Sequence, residues 1–309
     1  MQKLENSTLT QIDKPTVQRP SLLDKTIRLI ALFMPGGFRL VAVLLISLVY
    51  SSIVCVIDLH AVPSTQTFQG AAALSVSVVF GLLLIFRNNS AYERWWEARK
   101  LWGQLVNDSR NLAIKIESYG CDLSQAERTF CAELIASFAE SLKMHLRGER
   151  NGAALLRLEL PPNTNHIPSA IALVLYKKLK LWRKQSFLGD WEQIQIDSHA
   201  RAFMDICGAT ERILKSPIAS SYKLLLWIVL LLNLACLPWL LAPMFHGGTV
   251  VIMLVSCYLM FGLEMLAEDV ERPFDDSAND LPLDDICANI RASVFQLLSS
   301  APSDNDGVQ

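Results

Sequence analysis

The sequence lacks most of the features that mark an enzyme. It has no phosphate-cradling G-x-x-x-x-G-K-[ST] loop, no G-x-G-x-x-G turn, no H-E-x-x-H pair and no G-x-S-x-G elbow. The five histidines stand far apart, so spacing alone offers no metal site and none is expected. Seven cysteines (55, 121, 131, 207, 236, 257, 287) include no C-x-x-C pair. Their odd number and scatter through apolar or helical stretches read as reduced, buried thiols, not a disulfide framework or a zinc site. A surplus of positive charge is missing too: 28 Lys and Arg against 30 Asp and Glu leave a net charge of −2. That excludes the basic footprint of a nucleic-acid partner. No strand-type alternation or hairpin signal is visible, which leaves an all-α chain. No cleavable signal peptide is expected, because the first apolar run follows a polar leader without a small-residue cleavage site.

What the chain does have is apolar sequence, 51% of its 309 residues. That is high for a soluble protein and low for one lying wholly in a membrane. Four runs carry it: Phe38–Ile57, Ala71–Phe86, Leu224–Ala242 and Thr249–Ala267. The first, third and fourth reach or approach the ~20 residues needed to span a bilayer. Every Lys and Arg lies before Leu40, between Arg87 and Lys223, or after Asp269. The two short connections, Asp58–Gly70 and Pro243–Gly248, contain none. The positive-inside rule therefore places both termini and the long central segment in the cytoplasm. Apart from Arg39 at the start of the first, the runs hold no Asp, Glu, Lys, Arg or His until Glu264, with Glu268 just beyond, both near the cytosolic end. Ion-coupled pumping needs a charge near the midplane, so passive conduction fits the composition better.

The second run is the odd one. At about 1.5 Å per residue it makes a helix of about 24 Å, short of the ~30 Å hydrocarbon core. It also carries Ser75, Ser77 and Gly81, and turns abruptly polar at Arg87. On a 100° wheel Ala71, Ser75, Val78, Leu82 and Phe86 share one stripe, small at its start and bulky at its end. Such a stripe suits the lining of a tapering axis. Ordinary helix packing through small residues fits the periodicity equally well.

Elsewhere the sequence predicts a polar leader over residues 1–18 and an interfacial helix over Ser21–Phe33, broken at Pro35-Gly36-Gly37. His60 reads as a loop residue. Ser124-Gln125-Ala126-Glu127 is a capping box that opens a helix with Phe130, Leu134, Phe138 and Leu142 at steps of four. A further helix is predicted over Ser169–Lys184, basic at its end. Another starts on a second capping box, Asp190-Trp191-Glu192-Gln193, and stops before Pro217. The glycosylation sequons at Asn88 and Asn107 fall on the cytosolic side and are discounted.

Two blocks carry a family resemblance. Phe86-Arg87-Asn88-Asn89-Ser90-Ala91-Tyr92-Glu93-Arg94-Trp95-Trp96-Glu97-Ala98-Arg99-Lys100-Leu101-Trp102-Gly103 closely resembles the signature of bacterial bestrophins. Leu266-Ala267-Glu268-Asp269-Val270-Glu271-Arg272-Pro273-Phe274, followed by Asn279-Asp280-Leu281-Pro282-Leu283-Asp284, resembles that family's C-terminal signature. The order of spans matches from about residue 19 to 298. The resemblance implies a homopentameric, multi-pass channel for monovalent ions in the bacterial inner membrane, its pore lined by the second span of each subunit. The expected layout is a leader and interfacial helix over 1–37, two membrane helices over 38–86, a cytoplasmic helical domain over 87–223, two membrane helices over 224–267, and a cytoplasmic segment over 268–309. The family's hydrophobic neck corresponds to Val78, Leu82 and Phe86. Its cytosolic aperture, aligned against the Arg212–Ser221 region, lands on Trp191, where relatives carry a smaller aliphatic residue; Ile194 is the alternative.

Animal members bind calcium in an acidic clasp after Pro-Phe, and this chain keeps Asp276 and Asp280 there. Arg272 stands where a ligand is expected, and Ser277 and Ala278 interrupt the acidic run. Calcium takes six to eight oxygen ligands, so no cofactor is expected. The sign of the ion stays open. The family is described as chloride channels and bacterial members as cation-conducting, and Leu82, in place of an aromatic, leans toward cations. The competing reading is a membrane-tethered interaction protein acting through its cytoplasmic helices. A short, serine-bearing second span speaks against a mere tether.

Overall fold

The computed structural model describes residues 38–58, 66–120, 123–149, 157–161, 163–277 and 279–299; for 66–76 and Ser299 it describes the backbone path. The expected interfacial helix at 21–33, and His60, lie outside the described residues. The described residues are helical and contain no strand, as the absence of alternation implies. We label the helices α1 (Phe38–Asp58), α2 (Gln66–Tyr119), α3 (Gln125–Leu146), α4 (Ile167–Lys184), α5 (Asp190–Lys215), α6 (Ser220–Phe245), α7 (Gly248–Val270) and α8 (Leu283–Ser299).

Helices α1, α6 and α7 are long and apolar enough to cross a membrane. The short second run belongs to α2, whose 54 residues run unbroken across the apolar-to-polar change at Arg87. At 1.5 Å per residue that is about 80 Å of helix. No proline occurs between Gln66 and Tyr119, so nothing in the chain obliges a break where the solvent changes. The boundary expected at residues 86 and 87 is thus a change of surroundings within one rod.

That rod joins two cores. In one, Phe80 and Leu84 of α2 pack with Leu40 of α1, Leu230 of α6, and Cys257, Phe261 and Met265 of α7. The other is larger, and is built by the polar half of α2 with α3, α4, α5 and α8 around Trp102, Phe138, Trp182, Phe203 and Ile290. Phe138 and Phe203 stack at 4.8 Å between ring centroids. Trp182 is fully buried and donates its indole N–H to Glu127 Oε1 at 3.1 Å, so its one polar atom is satisfied.

Helix ends follow the predicted chemistry with two shifts. Ser124 caps α3 as expected, its hydroxyl accepting the Glu127 amide at 3.3 Å. Helix α3 closes at Gly148, whose φ of 73° favours glycine. Helix α4 begins two residues before Ser169. The His166 ring caps it, with Nδ1 accepting the Ser169 amide at 3.1 Å, and Pro168 fits the donor-free first turn. The second expected box is displaced by one residue. Gly189 is the cap, Glu192 folds back against it, and Asp190 pairs with Arg183 at 2.6 Å.

Six cysteines among the described residues are free thiols. Four of them, 131, 207, 257 and 287, are buried as expected. Cys236 is exposed on α6, on an apolar helix surface, because a membrane helix buries little of itself within one subunit.

Candidate functional site

Helix α2 positions the candidate site by the side it buries. Phe80 and Leu84 are 2% and 8% exposed, while Val78, Leu82 and Phe86 are 62%, 52% and 61% exposed. The 100° step puts these two sets on opposite sides of the rod. The three neck candidates therefore leave their own subunit and do not pack in its core. Side chains of Ala71 and Ser75, which complete the stripe toward the outer end, lie outside the described residues.

The exposed face does not stop at Phe86. It continues through Asn89, Glu93, Trp96, Lys100, Gln104, Asn107, Asn111, Ile114 and Ser118, all exposed. One stripe thus runs the described length of α2, apolar beside the membrane core and polar beyond it. Lipid contact accounts for an apolar surface only. A stripe that keeps its bearing across both regions suits a common axis shared with other subunits.

The bearing is fixed by Arg87, one residue after Phe86 and fully buried. Its Nε reaches Glu264 Oε1 at 3.3 Å and its Nη2 reaches Glu271 Oε2 at 2.8 Å. Lys223 Nζ also lies 2.8 Å from Glu271 Oε2, and the Ile218 amide donates to Glu271 Oε1 at 3.2 Å. Burial pushes the Glu271 carboxyl up, but Lys223, Arg87 and the Ile218 amide outweigh it and hold its pKa below the usual carboxylate range. Two turns further on, Arg94 donates to the carbonyls of Ile213 at 2.6 Å and Ser216, and more weakly to that of Glu271. Burial depresses the Arg94 pKa, though it stays a cation at any working pH. Tyr222 adds a bond from its hydroxyl to the Leu83 carbonyl at 2.8 Å. These contacts tie α2 to the start of α6 and the end of α7 just inside the apolar zone. Sequence reasoning missed this cluster. Its signal was present, since both resemblance blocks place charges, Arg87 and Glu271, at the ends of apolar runs.

The aperture candidates sit at the far end. Helix α5 runs antiparallel to α2, as three contacts show. Lys115 Nζ donates to the Gln195 carbonyl at 2.8 Å, His199 Nδ1 lies 2.8 Å from Asp108 Oδ1, and Arg212 pairs with Glu97 at 2.8 Å. This register puts the start of α5 beside the end of α2, about 50 Å of helix beyond Phe86. Trp191 and Ile194 are there, 70% and 61% exposed. They share a face at a three-residue step and point away from the subunit core.

The two aspartates of the calcium candidate serve separate partners. Asp276 pairs with Arg147 at 3.3 Å. Asp280 Oδ2 accepts the Ser277 amide at 2.6 Å, and its carboxyl is held above the usual range chiefly by burial. Asp280 lines a cleft with Glu268, Asp269, Asp275, Arg39 and Arg272. Two guanidinium groups in that cleft oppose a divalent cation. Asp284 pairs with Lys143 at 2.5 Å and Arg147 at 3.3 Å, in the first turn of α8, so the acidic stretch leads into a helix start paired with basic neighbours.

Known proteins resemble this chain in sequence and in fold. The family model described as Bacterial/Fungal Bestrophin protein matches residues 28–296. A Nostoc protein named a voltage-dependent anion channel-forming protein is 32% identical, over 78% of this chain and 81% of its own. An Escherichia coli protein with the same descriptive name is 33% identical, over 73% and 76%. The crystal structure of a bestrophin homologue from Klebsiella pneumoniae superposes with a TM-score of 0.75 at 24% identity, over 85% of this chain and 99% of that one. That likeness speaks for the fold. The family model and the two relatives do more: this chain belongs to the bacterial and fungal bestrophin family.

Proposed function

We propose that this chain is a passive channel for monovalent ions, conducting anions through a neck on the shared axis of a homopentamer. The observation that carries the reading is the outward stripe of Val78, Leu82 and Phe86 beside a rigidly held Arg87. Five copies of each would form three stacked apolar rings. Apolar rings gate by the ease with which the constriction loses its water, so they need no moving charge. Among the described residues the middle of α1, α6 and α7 bears no Asp, Glu, Lys, Arg or His, which favours passive flow over ion-coupled pumping.

In this reading α1, the apolar part of α2, α6 and α7 are the four spans. Residues 87–223 and 268–309 lie in the cytoplasm with the leader, and the membrane is the bacterial plasma membrane. The loops free of Lys and Arg, and the gathering of Arg87, Lys223 and Glu271 on one side, support that orientation. Trp191 and Ile194 would frame the exit from the polar half of the conduit. The names of the relatives support anions over cations, and the rings themselves carry no charge that would decide. The lean toward cations drawn from Leu82 is therefore set aside. Phe86 supplies an aromatic edge at the cytosolic end of the neck, which suits an anion.

The experiment is current across a planar bilayer holding the purified protein in asymmetric NaCl. A reversal potential displaced toward the chloride equilibrium value is expected. A displacement toward sodium would reverse the sign of the selectivity, and the absence of current would remove the channel reading.

A further inference from the structure

The histidines that sequence spacing kept apart meet in the fold. Helix α3 brings His145 near its end, α4 brings His166 at its cap, and α5 brings Glu211. His145 Nε2 and His166 Nε2 lie 2.9 and 2.7 Å from the same Glu211 Oε1, and the two rings are 4.5 Å apart. One ligand-type atom from each residue falls within 4.8 Å of the others. All three side chains are partly buried, at 29%, 35% and 18% exposure, so the cluster is both held and reachable. We infer that His145, His166 and Glu211 form a binding site for a borderline divalent transition-metal ion, zinc above all, that clips α3, α4 and α5 together.

Two imidazole nitrogens and one carboxylate oxygen are a zinc donor set, with water as the fourth ligand on the open side. Ligand atoms around a tetrahedral zinc sit about 3.3 Å apart, so an entering ion would move each imidazole nitrogen about half an ångström from Glu211 Oε1. The surroundings allow this. Lys215 Nζ, 2.8 Å from Glu211, holds the other oxygen, Oε2, and leaves Oε1 to the ion. Lys215 is 70% exposed, and its charge is screened by water.

The metal-free tautomer of His166 is set by its cap, because Nδ1 accepts the Ser169 amide and Nε2–H therefore faces Glu211. Zinc on Nε2 moves that proton to Nδ1. The Ser169 hydroxyl, 2.7 Å from Nδ1, turns from donor to acceptor and holds the new tautomer, as outer partners of metal-bound histidines do, while the Ser169 amide gives up its bond to the ring. No net proton is gained or lost at His166. Cys207 donates its thiol to Glu211 Oε1 at 3.7 Å, and burial and the Glu211 charge push its pKa up to about 12. Its sulfur is not one of the three ligand atoms that lie within 4.8 Å of one another. The site lies one turn from the α5 end whose carbonyls hold Arg94. Its occupancy would stiffen the support under α2.

The test uses the full-length protein in detergent, with any affinity tag removed, stripped with chelator and titrated with zinc against a chromophoric competitor. About one tight zinc per chain is expected, together with a raised unfolding midpoint that chelator reverses. Cobalt in place of zinc should give the intense visible absorption of a tetrahedral site. Glu211→Gln and His145→Gln should each weaken zinc by at least about tenfold, as should His166→Asn, which keeps a capping side chain. His199→Gln, in the remote pair with Asp108, should leave it unchanged. Wild-type protein that binds no zinc overturns the proposal. So do folded ligand variants that bind as tightly as wild type. If the variants fail to fold, a weak octahedral cobalt spectrum on the wild type overturns it equally.

Discussion

Replacing Arg87 with methionine tests whether the charge cluster fixes α2. Arg87 is fully buried, and among the described residues it is the one ion-pair partner of Glu264, whose side chain is 5% exposed. Glu271 differs, since Lys223 at 2.8 Å and the Ile218 amide at 3.2 Å stay with it. The loss therefore falls on Glu264, left buried without a counter-charge. Removing one member of a buried pair costs about 3–5 kcal/mol, mostly for the charge left behind. Arg87→Met should unfold well below wild type, read by tryptophan fluorescence and retention of the oligomer on heating. Adding Glu264→Gln removes the stranded carboxylate and should recover a large part. The coupling between the two sites is then on the order of 2 kcal/mol. Arg87→Lys should fall between, because an ammonium cannot fork to two carboxylates. An Arg87→Met protein within about 1 kcal/mol of wild type would refute the reasoning, as would a double variant no better than the single.

Three further outcomes can be checked directly. Val78→Ala, Leu82→Ala and Phe86→Ala should each change bilayer conductance, toward larger currents as the rings widen, while each subunit's fold holds because the side chains lie outside its core; unchanged currents in all three would remove the neck. Trp191→Ala should alter conductance or its dependence on voltage and shift the unfolding midpoint little, since the ring is 70% exposed; unaltered currents would leave Trp191 as surface. Burial pushes the Glu133 carboxyl up, but Arg291 and Arg157 outweigh it and hold its pKa below the ordinary value. A depressed folded pKa gives stability that is complete above the unfolded value of about 4.3 and fades as pH falls through the folded one. The midpoint gap between wild type and Glu133→Gln should thus be widest at neutral pH and shrink in acid, and a gap that is the same at both would contradict it.

Much of the fold was legible because local chemistry decided it. The apolar runs are helices α1, α6 and α7 and the first half of α2, and Ser124 caps where its capping box says it must. The neck stripe was legible as a period, but a wheel cannot tell inside from outside. That needed Phe80 and Leu84 to be seen buried on the opposite side. Where local rules failed, a nearby side chain competed. Asp190 was drawn to Arg183 instead of capping α5, and the His166 ring took the cap expected nearer Ser169. The Arg87 cluster and the His145, His166 and Glu211 group join residues 45 to 184 positions apart. No spacing rule reaches that far.

The position of Arg87 next to Phe86 has a mechanical reason. An apolar side chain on a membrane helix gains little by facing lipid, a neighbour or a dewetted axis, so Val78, Leu82 and Phe86 cannot set their own bearing. A one-residue slip about the helix axis, 100°, would carry Leu82 away from the stripe and bring a neighbour into its place. Arg87 forbids that slip, because turning it out of its cluster would strand Glu264 and half-strand Glu271 in a dry site. Arg94 repeats the restraint two turns along, with its fork on the carbonyls that end α5. In the proposed neck, the aim of the weakly held rings would thus be borrowed from strongly directional charges just below them. Loosening the charges should blur the neck even with every ring residue intact, so Arg87→Lys should make single-channel currents noisier in channels that still assemble. Currents as steady as wild type from such channels would mean that the bearing of α2 is set elsewhere.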